Sequence, residues 1–110
     1  MVRPTEFKIA QRVTEADVTL KITGELDLST VAVLAESVER VRRGITTLTL
    51  DLSDLIFMDS TGLRLLIELD RRASKEDWRL ILIRPLQETA AAVLKATGAD
   101  AALPFVDVRP

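Results

Sequence analysis

Apolar and polar residues alternate strictly in two stretches of the chain. The apolar members stand at every second position: Val18, Leu20 and Ile22 in the first stretch, and Leu48, Leu50 and Leu52 in the second. A period of two is typical of a strand with one buried face and one face in water. Strands covered on both faces are apolar throughout, so this alternation predicts a sheet whose helices lie on one side.

Weaker patterns indicate further strands. Phe7, Ile9 and Val13 precede the first stretch, and the polar segment 14–17 between them is short enough to predict an antiparallel hairpin. A later apolar run, 78–83, ends before Pro85. The segment 103–106 is apolar and is expected to form a short edge segment or a docked tail.

Three segments have helical periodicity. The first begins after Ser29 or Thr30 and ends at Gly44, the second starts at 59–61 and continues through 72, and the third covers 87–97. Helices that alternate with strands predict parallel pairing between the strands they join. With a length of 110 residues, we expect one α/β domain over 1–110, with a mixed four- to five-stranded sheet and its helices packed on one face.

Composition excludes several classes of function. The chain has no cysteine and no histidine, which excludes disulfides, thiolate or imidazole zinc sites, and Ser-His-Asp or Cys-His catalysis. Fifteen basic against 17 acidic residues give a net charge of -2. No excess of positive charge therefore attracts the protein to nucleic acid or to an anionic membrane, and we expect no nucleic-acid partner. The start of the chain, 1–6, is polar, and no apolar run reaches a membrane-spanning length of about 18 residues. We therefore expect a cytoplasmic location and no direct membrane insertion.

The most unusual segment is 51–63, where a strand passes through the apolar loop 56–58 into a helix that opens with Asp59-Ser60-Thr61-Gly62. Free N–H groups and the helix dipole stabilise an anion at such an end, so Ser60 is a candidate to carry a phosphate. The ordinary interpretation is that Asp59, Ser60 or Thr61 is the N-cap and that Gly62 accommodates packing. Both interpretations stay open on the sequence alone.

Several motifs together carry a resemblance to a known family. In order along the chain they are Gly24-Glu25-Leu26-Asp27, Leu50-Asp51-Leu52-Ser53, Phe57-Met58-Asp59-Ser60-Thr61-Gly62-Leu63, Thr97-Gly98 and Leu103-Pro104-Phe105. This combination resembles the STAS domain of bacterial anti-sigma factor antagonists, and it covers nearly the whole chain.

The resemblance implies a binding switch without catalytic activity or a cofactor of its own. The unmodified protein would bind an anti-sigma factor that is also a serine kinase and so release the sigma factor. Phosphorylation of Ser60 by that kinase would end binding, and a phosphatase would reset it, while ATP and magnesium belong to the kinase. The partner-binding residues implied with Ser60 are Asp27, Asp59, Thr61, Gly62, Leu63 and Arg64. We expect the free protein to be a monomer.

Two other hypotheses remain. One is a STAS-type accessory subunit of a lipid-transport ATPase, which would use the same surface constitutively and without phosphorylation. The other is an enzyme, for which the chain offers no phosphate-binding glycine loop of the P-loop kind. Its acid and base candidates are limited to carboxylates, lysine and arginine.

Two charged residues of the second helix have more than one interpretation. Arg64 stands where phosphorylated members of the family often have a small residue. It either pairs with Glu68 or, one turn after Ser60, reaches a phosphate or an acidic partner. Asp70 falls on the apolar side of the helix, so it either marks a partner-facing edge or bonds to a nearby strand end, and we favour the second.

Overall fold

The long strand β2 (Asp17–Leu26) organises the sheet in the computed structural model, which describes residues 6–108; Met1 to Thr5 of the polar start lie outside them. The strand β1 (Lys8–Thr14) pairs with it antiparallel, which confirms the hairpin. The strand β3 (Thr47–Asp51) pairs in parallel with the first half of β2, and β4 (Leu55–Met58) pairs in parallel with the second half.

The other edge of the sheet is also parallel. The strand β5 (Arg79–Ile83) pairs with β3, and the two-residue strand β6 (Phe105–Val106) pairs with β5. The order is β1-β2-β3-β5-β6 with β4 beside β2, which makes six strands in the described part of the chain. The α/β class, the mixed sheet and the expected edge segment are confirmed.

The sheet has more strands than predicted because residues 56–58, interpreted as an apolar loop, belong to β4. Because β2 is longer than β3, its residues 24–26 extend beyond the β3 pairing and pair with β4 instead. The β2–β4 pairing contains one register shift, between Gly24 and Glu25. Leu55 and Met58 of β4 are buried, whereas Phe57 between them is exposed. So short a strand carries no clear alternation, which is why its sequence did not distinguish it from a buried loop.

The helices are α1 (Val31–Val41), α2 (Ser60–Glu76), α3 (Glu88–Thr97) and the short α4 (Ala99–Ala102). The last was not predicted; it starts after Gly98, whose φ of 80° ends α3. Among residues 6–108, no helix is both long and apolar enough to cross a bilayer.

All four helices pack on one face of the sheet, as predicted. Their buried side chains share a single core with the inward residues of the strands. The members that define it are Leu20, Ile22, Leu34, Val38, Leu48, Leu50, Leu66, Leu69, Leu82, Ala90, Leu94 and Ala99. On the opposite face, Thr19, Thr47 and Thr49 are partly exposed and Lys21 is exposed, so no helix of residues 6–108 covers that face.

Candidate functional site

The ends of β2 and β4 meet the beginnings of α1 and α2 at one edge of the sheet. The backbone N–H of Asp59 donates to the carbonyl oxygen of Leu26 at 3.2 Å. Ser60 follows Asp59 and Asp27 follows Leu26, so this hydrogen bond brings the backbones of Ser60 and Asp27 close to each other. This geometry brings together two of the residues that the sequence analysis singled out.

Asp59 is the N-cap of α2. Its backbone is extended, and its Oδ1 accepts hydrogen bonds from the N–H groups of Thr61 at 2.9 Å and Gly62 at 3.1 Å. Ser60 is the first residue of the helix, its side chain is exposed, and its hydroxyl has no hydrogen bond within residues 6–108. Of the three candidate caps Asp59 is the one used, and Ser60 is free of that role.

Gly62 is a packing accommodation, as the ordinary interpretation proposed. A Cβ built on it would lie 2.9 Å from Leu26 Cγ, 3.0 Å from the Leu26 carbonyl oxygen and 3.0 Å from Met58 Cγ. The first turn of α2 therefore rests directly on the end of β2. Gly62 and Leu63 are both buried, so a part for them in partner binding stays a prediction and requires them to act by positioning the exposed residues.

Asp27 organises the loop between β2 and α1. Its Oδ1 accepts from the Ser29 N–H at 2.9 Å and the Ser29 hydroxyl at 2.7 Å. The Ser29 hydroxyl is the main cause that holds the pKa of Asp27 below its ordinary value. Thr30 is the N-cap position of α1, but its hydroxyl donates to the Glu25 carbonyl oxygen at 2.7 Å instead of capping the helix.

Two exposed apolar side chains near this edge were not singled out by the sequence analysis. Leu28 lies between Asp27 and Ser29 and is 76% exposed, and Phe57 precedes the last residue of β4 and is 39% exposed. A leucine inside an otherwise polar turn was the available signal for the first. Both are of the type that anchors protein interfaces when a partner covers them.

The expected pairing of Arg64 with Glu68 is wrong. Arg64 is exposed and makes no ion pair with any residue that the structure describes. Arg72, two turns further along the same helix, pairs with Glu39 of α1 at 2.7 Å and with Glu76 at 3.6 Å. Arg64 therefore stays available one helical turn from Ser60.

The bond expected between Asp70 and a strand end is also wrong. The carboxylate of Asp70 is half-buried and forms no hydrogen bond or ion pair in the described part of the chain. It lies in a groove beside α2. Over the same range of residues, no group of three or more carboxylates is placed to hold a metal ion.

These observations define a class: an α/β domain with its helices on one face of the sheet, which presents an exposed serine at a capped helix end, beside a hydrogen-bonded loop that contains Asp27. The family model described as "Mlab, STAS domain" matches residues 9–107. The chain belongs to this STAS domain family. A search of curated proteins finds no significant match.

Solved structures share the fold. An anti-sigma factor antagonist from Mycobacterium paratuberculosis is 21% identical, with a TM-score of 0.79 over 96% of this chain and 89% of that chain. The anti-sigma factor antagonist SpoIIAA in its unphosphorylated form is 25% identical, with a TM-score of 0.75 over 94% and 89%. The Bacillus cell fate determinant SpoIIAA in the phosphorylated form is 25% identical, with a TM-score of 0.69 over 94% and 92%.

Proposed function

We propose that this protein is a cytoplasmic anti-sigma factor antagonist that works by binding and is switched off by phosphorylation of Ser60. In its unmodified form it binds an anti-sigma factor with serine kinase activity and releases the sigma factor. The kinase then phosphorylates Ser60, and a phosphatase restores the binding form. The solved SpoIIAA structures, one unphosphorylated and one phosphorylated, support the choice of this mechanism.

The observation that carries the proposal is the separation of the cap from the serine. Because Asp59 satisfies the N–H groups of Thr61 and Gly62, the exposed Ser60 hydroxyl is free for a kinase. A phosphate there adds about -1.5 to -2 charges at the positive end of α2, which the helix tolerates. Phosphorylation therefore changes the surface without unfolding α2.

The effect on a partner follows from the neighbouring charges. Asp59 and Asp27 already make this edge acidic, and a phosphate on Ser60 concentrates negative charge beside them. An acidic or apolar surface docked there is expelled by like-charge repulsion and by the cost of desolvating the phosphate. Arg64 lies one helical turn after Ser60, and its guanidinium is expected to pair with the phosphate. That ion pair would hold the phosphate in one position in the phosphorylated form.

The first test compares Ser60→Ala, Ser60→Asp and the unmodified protein. Each is used to capture partners from the source cell, and the partner is then purified for calorimetry with intact-mass measurement of the domain. We expect Ser60→Ala to bind as tightly as the original and to accept no phosphate. We expect Ser60→Asp to bind at least about tenfold more weakly, because aspartate adds one charge in the same place as the phosphate.

A matched control adds the same charge elsewhere. Thr46 is exposed and directly precedes β3, at the opposite edge of the sheet, so Thr46→Asp is expected to bind like the original protein. Thr61→Ala tests the adjacent hydroxyl and should still be phosphorylated. Phosphate found on Thr61 or nowhere, together with full binding by Ser60→Asp, would refute the switch.

A second candidate is the constitutive accessory subunit of a lipid-transport ATPase. We keep this candidate because the description of the matching family model names Mlab and does not name an anti-sigma factor antagonist. This candidate predicts capture of a transporter ATPase, no phosphate on the domain and equal capture by the protein at any stage of growth. The same capture experiment therefore separates the two functions.

A further inference from the structure

A groove of about 350 Å³ runs between α2 and the segment that contains α4. Leu63 and Ile67 of α2 form one wall, and Ala99, Ala102 and Leu103 contribute to the other. The lining is mainly apolar but includes one carboxylate, that of Asp70. A charged group in an apolar groove points to a ligand that combines an apolar part with the opposite charge.

Asp70 has no partner within the described residues that would account for its position. It forms no hydrogen bond or ion pair there, although it is half-buried. Arg71 also lines the groove, but adjacent residues of a helix do not face each other, and no ion pair joins the two. Asp100, on α4, is paired with Arg84. The groove therefore offers one acidic group without a protein partner among the described residues, the carboxylate of Asp70, which water still reaches. The exposed Arg71 is the other charged residue of its lining.

The groove lies on the same helix as Ser60 and begins one turn further along it. Ser60, Leu63, Ile67 and Asp70 are spaced by three, four and three residues, so they form one stripe along α2. The groove starts at Leu63, one turn after Ser60. A protein that covers Ser60 and extends about 15 Å further along α2 therefore reaches the groove and Asp70.

We propose that this groove receives a lysine or arginine side chain of the partner protein, whose charge pairs with Asp70. The aliphatic stem of that side chain lies against Leu63 and Ile67, which gives it apolar contact along the way to the carboxylate. This inference rests on the proposed function, because it takes the partner that docks over Ser60 as the source of the cation. It assigns to α2 a second contact that phosphorylation does not modify.

The test measures the affinity of the purified partner for Asp70→Asn. Asparagine keeps the shape and removes the charge, so we expect binding at least about tenfold weaker and a smaller loss of affinity with added salt. Glu68→Gln, which removes an exposed charge from the same helix, is the matched control and should bind like the original. Arg71→Gln should bind equally or more tightly, because it removes a like charge from beside the incoming cation.

A second variant keeps the test valid if Asp70→Asn is poorly folded. Ala102 is exposed on the rim of the groove, and Ala102→Lys places a competing cation near Asp70, so weaker binding is again expected. Unchanged binding by both variants overturns the groove proposal and leaves the Ser60 switch intact. Weaker binding by Arg71→Gln alone also overturns it, because it indicates an acidic segment. If no partner binds the unmodified protein, the proposed function fails and this inference fails with it.

Discussion

Gly62→Ala should destabilise the protein, although alanine is the better helix former. Helix propensity alone predicts a gain of up to about 1 kcal/mol. The added methyl, however, would lie 2.9 Å from Leu26 Cγ and 3.0 Å from the Leu26 carbonyl oxygen. Leu26 is fully buried, and its carbonyl oxygen accepts a hydrogen bond from the N–H of Asp59. Moving either atom away from the added methyl would therefore cost packing or this hydrogen bond. Overpacking of this kind costs about 1–3 kcal/mol, and we expect a net loss of about 1–2 kcal/mol.

Urea unfolding monitored by circular dichroism measures this loss directly, with the slope of the transition as a check that unfolding stays two-state. Ser60→Ala is the matched control, because Ser60 lies in the same turn, is exposed and does not cap the helix. It should change the free energy of unfolding by less than about 0.5 kcal/mol. If Gly62→Ala is more stable than the original protein, α2 does not rest on β2 as described, and the position of Ser60 must be reconsidered.

Two further predictions concern the core and the acidic loop. Leu66→Ala, at a fully buried position of α2, should cost about 2–5 kcal/mol, whereas Glu68→Ala on the exposed side should stay within about 0.5; equal values in denaturant titration would mean that the helix faces are reversed. Asp27 has a lowered pKa in the folded protein, so the stability it contributes is present above its ordinary pKa and is lost as the pH falls through the lowered value. Ser29→Ala should raise the pKa of Asp27 in a carboxyl NMR titration, and an unchanged pKa would contradict the assigned cause.

The predicted parts of the fold are those that depend on local patterns. Alternation at Leu48 and Leu50 was enough to place the helices on one side, because a half-buried face can be recognised within one strand. The strand β4 was missed because what defines it is its pairing with residues 24–26 of β2, which is a property of two distant segments. The ion pair between Arg72 and Glu39 was missed for the same reason, since it joins two helices.

In the candidate site, too, the local features could be predicted from the sequence, whereas those that depend on contacts between distant segments could not. That a cap stands at 59–61 followed from residue type, but aspartate, serine and threonine all cap helices, so the sequence did not distinguish them. The hydrogen bond from Asp59 to Leu26 fixes where the helix begins. The side-chain hydrogen bonds of Asp59 to Thr61 and Gly62 then show that Asp59 is the cap, while the Ser60 hydroxyl stays exposed.

The two proposed contacts on α2 are far enough apart to act separately. Ten residues of helix separate Ser60 from Asp70, which is about 15 Å along the axis. The Debye length at physiological ionic strength is about 8 Å, so a phosphate on Ser60 has little direct effect on a cation held by Asp70. Phosphorylation then weakens the complex at the helix end while the groove contact keeps its own contribution. A partner that binds again after dephosphorylation would find the same contact with Asp70 in the groove, because phosphorylation of Ser60 does not change that contact.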